Sequence, residues 1–138
     1  EGVAVDGVPD RGLGPVLHRV GKLARQPGLV VVVSDFRGAP DWSRALRSLR
    51  GRHQLLAVEI RDPREERLEP AGRLALVDPE TGALIEVDTS RKGLRERFEQ
   101  AAAEERAGVA AELRRGGAHH AVLSTQGDWL RALGRSLQ

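Results

Sequence analysis

The sequence contains no cysteine and no methionine. Without thiols it can form neither a disulfide framework nor a thiolate metal site, which fits a reducing compartment and sets a cytoplasmic location as the expectation. Aromatic residues make up 3% of the chain and tyrosine is absent, so there is little to stack on bases. Lysine is confined to Lys22 and Lys92. The 22 Lys and Arg are set against 20 Asp and Glu, giving a formal net charge of +2. The pI of about 9.9 therefore reflects arginine rather than a broad positive field, and no nucleic-acid partner is expected. Long apolar runs are missing as well. The longest, Leu29 to Val33, falls far short of the roughly 20 residues of a membrane span, so no membrane contact is expected of this segment. No Gly-x-Ser-x-Gly, Walker, Gly-x-Gly-x-x-Gly or His-x₃-His pattern occurs, which removes the common nucleophile, nucleotide and zinc signatures. With Glu1 first and no Met anywhere, the chain reads as processed or as cut from something longer.

What is present is an alternation of helical and strand patterns in a length suited to one domain. Residues 1–12 carry Gly, Asp and Pro without periodicity and read as a flexible tail or linker, with the domain proper at 13–138. Leu13, Val16, Leu17, Val20 and Leu23 fall at helical spacing, with Pro15 in the first turn and Pro27-Gly28 as the stop. Leu29 to Ser34 is a β-branched run of the kind buried on both faces of a parallel sheet. Asp41 is the expected N-cap of a short helix bearing Trp42, Ala45, Leu46 and Leu49. Leu55 to Ile60 reads as a second central strand. Arg73–Val77 and Ala83–Val87 flank the turn "DPETG", a β-hairpin in which Gly82 supplies positive φ. A long helix over residues 90–115 places Leu94, Phe98, Ala101, Ala102, Val109 and Leu113 inward. Ala121 to Thr125 forms a third strand, and a helix over 128–137 turns Trp129, Leu130, Leu133 and Leu137 inward.

Strands separated by helices imply right-handed crossovers and a parallel sheet. Three strands are few for such a sheet, and a first strand that looks central needs neighbours on both sides. Part of the sheet is therefore expected to be missing or supplied by another copy, making a homo-oligomer through exposed sheet one expectation. Ligands of open parallel sheets bind beyond the carboxyl ends of the strands. That edge collects Ser34 and Asp35 from the first strand, Asp62 from the second, and Ser124 and Thr125 from the third. Carboxylate among hydroxyls suits a hard cation such as Mg²⁺, while the plainer alternative is that Asp35 and Asp62 cap turns. His53, His119 and His120 fall near the opposite, amino-end edge, and His18 borders the first helix's apolar stripe. The mixed charges of the long helix read as a solvated face.

The ordered set "VVVVSDFRG", "RHQLLAVEIRDPRE", "LALVDPETGALIEVDT", "LRERFEQAAAEERA" and "LSTQGDWLRAL" resembles the carboxyl-terminal half of the bacterial domain-of-unknown-function family 58 (DUF58), whose core is similar to a von Willebrand factor A domain. The likeness runs from about Leu13 onward, and the joint order of the motifs makes it specific. It implies an α/β fold, three-layer, with a mostly parallel sheet of von Willebrand factor A or Rossmann-like type, incomplete, and an inserted β-hairpin. In such domains a metal-ion-dependent adhesion site gathers an Asp-x-Ser-x-Ser loop, a Thr and a later Asp. On this resemblance Asp35 matches the later Asp, with Ser34 its neighbour.

The Asp-x-Ser-x-Ser element itself is absent. "DTSRK" (Asp88 to Lys92) ends in Lys and follows the hairpin, and "DWSRA" from Asp41 ends in Ala. Mg²⁺ is therefore expected in a full-length parent, with none tightly bound to this chain. The resemblance also implies a non-enzymatic interaction or adaptor module working with a MoxR-type AAA+ ATPase in chaperone-like assembly. The alternative is a metal-dependent phosphoryl-transfer or nuclease domain using Asp35 and Asp62 as ligands.

Overall fold

The computed structural model describes residues 12–77 and 81–136. Their elements run α1 (Leu13–Leu23), β1 (Leu29–Ser34), α2 (Trp42–Arg50), β2 (Gln54–Arg61), a single 3₁₀ turn (Pro63–Glu65), β3 (Arg73–Val77), β4 (Leu84–Asp88), α3 (Lys92–Arg115), β5 (His119–Ser124) and α4 (Trp129–Ser136). β1, β2 and β5 form a parallel sheet in the order β1-β2-β5, and β3 and β4 form a separate antiparallel pair. The fold is thus mixed α/β with a mostly parallel sheet, as expected.

Alternation of side chains along each strand divides the core into two layers. On one face, Val32 of β1 and Leu55 and Ala57 of β2 pack with Leu17 of α1, Trp42, Leu46 and Leu49 of α2, and Leu113 of α3. On the other, Leu56 and Val58 of β2 and Ala121 and Leu123 of β5 pack against Ala132 and Leu133 of α4. Leu46 and Leu113 are fully buried, each worth about 2–3 kcal/mol of removed apolar surface. The long helix ends in a Schellman arrangement: Gly117 takes φ 73°, its N–H donates to the Arg114 carbonyl, and the Ala118 N–H donates to that of Leu113. That turn feeds the chain directly into β5.

Several expectations change. β2 alone is the central strand, and β1 stands at the edge of the described sheet. Rather than being buried on both faces, β1 alternates: Val32 is buried, whereas Leu29, Val31 and Val33 are 61%, 49% and 62% exposed. Val31 and Val33 lie in register with Leu56 and Val58, so they continue the face that α4 covers farther along the sheet. With eight residues, α4 covers β2 and β5 and leaves β1 open. Trp129 and Leu130, expected inward, are 56% and 66% exposed, and Ala101 is exposed too. Leu137, residues 1–11 and Asp78 to Glu80 of the hairpin turn lie outside the described residues, while Gly82 shows the expected positive φ of 69°.

Asp41 has helical backbone angles and makes no side-chain cap bond to α2. It serves α1 instead, its Oδ2 accepting the Gly14 N–H at 3.2 Å. A Cβ at position 14 would come within 2.7 Å of the Asp41 carbonyl oxygen, so glycine lets the two helix starts touch.

Candidate functional site at the carboxyl edge

β1 ends in a turn built by its own side chains. Ser34 Oγ accepts the Phe36 N–H at 3.0 Å, and Asp35 Oδ1 accepts the Arg37 N–H at 3.2 Å. These bonds hold Phe36 at φ 53°, a left-handed conformation that a bulky residue seldom adopts. The reversal drives its ring into the core, 2% exposed, where it meets Trp42 edge-on at 5.2 Å between centroids. The Ser-Asp pair therefore shapes a turn and also leaves the Asp35 carboxylate at the edge.

At the end of β2, Asp62 accepts the Arg64 N–H at 3.0 Å and is ion-paired with the Arg64 guanidinium at 2.7 Å. Hydrogen bonds from Arg64, helped by one from Thr125, hold its carboxyl below the usual carboxylate range. Ser124 Oγ accepts the Gln126 N–H, and the Thr125 N–H closes the sheet end onto the Arg61 carbonyl.

Asp35 and Asp62 line one crevice, together with Glu59, Arg61, Glu65, Arg37 and the α3 side chains Ala102, Glu105, Arg106 and Val109. Its cavity volume, about 30 Å³, is room for one or two waters. Ion pairs close it: Arg37 to Glu65 at 2.9 Å, Arg106 to Glu66 at 3.4 Å, and Arg61 to Glu59 at 2.7 Å. Asp35 joins none of the ion pairs found among the described residues. Ser124 and Thr125 do not line the crevice.

Glu59 is the residue that sequence reasoning missed. Its side chain is 4% exposed, in the middle of the central strand. Arg61 grips both carboxylate oxygens, Oε1 through Nε at 2.7 Å and Oε2 through a terminal nitrogen at 3.0 Å, and His120 Nε2 meets the same Oε2 at 2.7 Å. His120 begins near the amino-end edge, as its place in β5 implies, but its ring is tied to a carboxylate that lines the carboxyl-edge crevice. The available signal was a lone acid inside the apolar run "LLAVEI", since a buried carboxylate demands partners.

The donor set does not fit a cation by itself. Among the described residues no three His, Asp or Glu side chains gather where a metal ion could be held. Asp62 is engaged by Arg64, which leaves Asp35 and Glu105 as the crevice carboxylates that join no ion pair found among the described residues. "DTSRK" likewise folds on itself, with Asp88 Oδ1 accepting from the Ser90 N–H and hydroxyl, bonds that hold the Asp88 carboxyl below its ordinary range.

Fold and crevice together define an α/β domain with a parallel sheet whose carboxyl edge is lined by acidic residues. The chain belongs to the family described as "Protein of unknown function DUF58", whose model matches residues 9–108. It is 42% identical over 106 residues to an uncharacterized protein of Mycobacterium tuberculosis and, to the same extent, to one of Mycobacterium bovis, an overlap of 77% of this chain and 33% of each relative. An uncharacterized protein of Mycobacterium avium is 41% identical over 106 residues, 77% of this chain and 62% of that protein. The chain thus spans about a third of the length of the first two relatives. No solved structure matches it. Among the described residues no helix is long and apolar enough to cross a membrane.

Proposed function

We propose that this chain is the carboxyl-terminal part of a von Willebrand factor A-like domain that works by binding protein rather than by catalysis, as an adaptor in the cytoplasm. The observation that carries this reading is the open flank of the sheet. Leu29, Val31 and Val33 present an apolar row on an edge strand, with the exposed Trp129 and Leu130 of α4 on the same side. An unpaired edge strand with an apolar face recruits a further segment of chain. The resemblance to its family directs the adaptor role to a MoxR-type AAA+ ATPase, and it assigns Asp35 to a metal-dependent adhesion site whose other ligands come from outside this sequence. Mg²⁺ then belongs to the full-length parent. The phosphoryl-transfer or nuclease alternative has less support, because Asp62 is held by Arg64 and the crevice admits little more than water.

The test compares retention of a MoxR-type ATPase by a full-length parent, with and without Mg²⁺, for the natural sequence and for Val31→Lys/Val33→Lys. Loss of retention in a variant that still folds supports the reading. Unchanged retention refutes it. If the double variant unfolds the parent but leaves the isolated chain folded, the flank is an internal seam and no longer argues for a partner protein.

A further inference from the structure

At the other end of the sheet, α1 and α2 leave between them a groove of about 450 Å³, in the size range of small-molecule sites. Leu17, Ala45 and Leu49 line it with Gly21, and His18, Lys22, Arg52 and His53 add the charge-bearing groups. No Asp or Glu lines it, in a chain with 20 of them.

Neither Lys22 nor Arg52 joins any of the ion pairs found among the described residues. Arg52 gives one N–H to the Arg25 carbonyl at 3.4 Å, which leaves most of its donor fork available. The end of α2 does not consume these cations either, because the Leu49 carbonyl is already satisfied by the backbone N–H groups of Arg52 and His53. His53 is 7% exposed; its ring, hydrogen-bonded to none of the described residues, lines the groove and keeps its nitrogens within reach of solvent. Such an imidazole is served by water and can exchange it for a ligand oxygen.

We infer that this groove binds a small phosphorylated anion, with Lys22 and Arg52 engaging the phosphate, His53 supplying a further hydrogen bond, and the Leu17–Leu49 wall receiving the ligand's carbon skeleton. Two cations match a dianion better than a single carboxylate, and arginine's fork fits phosphate oxygens. No Phe, Tyr or Trp lines the groove, so recognition is assigned chiefly to the phosphate and a short aliphatic body. This site is independent of the interaction flank proposed above.

The experiment is a ¹H–¹⁵N titration of the whole chain with glycerol 3-phosphate, with inorganic phosphate and acetate in parallel at constant ionic strength. Saturable shifts confined to Gly21, Ser48, Gly51, Arg52 and His53, larger for glycerol 3-phosphate than for phosphate and absent for acetate, are expected. Lys22→Ala/Arg52→Ala, both exposed, should weaken binding at least about tenfold through loss of charge-assisted bonds while the spectrum stays folded. His53→Gln should weaken it less. Shifts scattered over surface arginines, equal shifts with acetate, or full binding by the double variant would each overturn the assignment.

Discussion

Replacing Glu59 with alanine removes the shared anchor of Arg61 and His120. Breaking a buried ion pair by deleting one partner costs about 3–5 kcal/mol, because the charge left behind is uncompensated. The Arg61 side chain keeps 27% exposure and can turn partly to water, and His120 keeps 15%, so the lower end applies, about 3 kcal/mol. For a chain of this length that corresponds to a fall in Tm of roughly 10 °C. Glu59→Gln retains the shape and one acceptor, and should lose about half as much, since hydrogen bonds to a charged group are worth about 1.5–3 kcal/mol against about 1 for neutral ones. Urea unfolding of the two variants and of His120→Ala, closed into a double-mutant cycle, isolates the pair. The expected coupling between Glu59 and His120 is about 1 kcal/mol or more. If Glu59→Ala costs less than about 1 kcal/mol, or if Gln and Ala cost the same, the carboxylate is screened like a surface group and the buried-anchor account is wrong.

Asp35→Ala should leave the melting temperature within about 2 °C, because it deletes one exposed turn bond at 3.2 Å; a larger fall would give Asp35 a structural post at the Phe36 turn. Calorimetry at millimolar Mg²⁺ should detect no Asp35-dependent site in this chain, since Asp35 is not gathered with two further acidic or His ligands among the described residues and cannot offset the dehydration of that ion; tight binding would contradict this. Gly82→Val should destabilise the hairpin by about 1–2 kcal/mol at φ 69°, seen as faster amide exchange across β3 and β4, whereas unchanged protection would mean the turn does not need that conformation. Asp62 is held below 3.8 chiefly by Arg64, so its contribution is present above 3.8 and is lost as pH falls through the lowered value. Asp62→Asn should accordingly flatten the most acidic limb of the stability profile, and an unchanged limb would show the Arg64 bond to be idle.

Periodicity made most elements readable, because α1, α2 and the strands bury residues at the spacing their backbones impose. β3, β4 and α3 followed from the turn "DPETG" and the glycine pair after Arg115. What failed was solvent exposure across a missing neighbour. "LVVVV" has the composition of a doubly covered strand, but composition records what a strand is built to bury, not what stands beside it in this chain. Trp129 and Leu130 misled for the same reason. Asp41 failed differently: a residue before an apolar run satisfies the N-cap rule for the helix it precedes, while its real partner, Gly14, lies 27 positions back. At the crevice, strand ends announced Asp35 and Asp62 through the parallel-sheet rule. Arg64 and Arg106 could not be assigned from sequence, because ion pairing depends on side-chain reach rather than on spacing.

The 24 residues of α3 extend about 36 Å, whereas the six-residue strands β1 and β5 beside it span about 20 Å. Only the end near Leu113 is rooted in the core, and the far end is bound to the hairpin, where Arg95 donates to the Thr89 and Ser90 carbonyls. Midway, Arg106 reaches Glu66 at the crevice. The helix is in mechanical terms a cantilever with one strut. A pivot of about 10° at Leu113 would carry its free end, and the hairpin with it, through about 5 Å, while the strut beside the crevice would travel less than half as far. Anything that opens or replaces the Arg106–Glu66 contact is therefore geared up at the hairpin, so a small event at the carboxyl edge is read out as a larger displacement some 20 Å away.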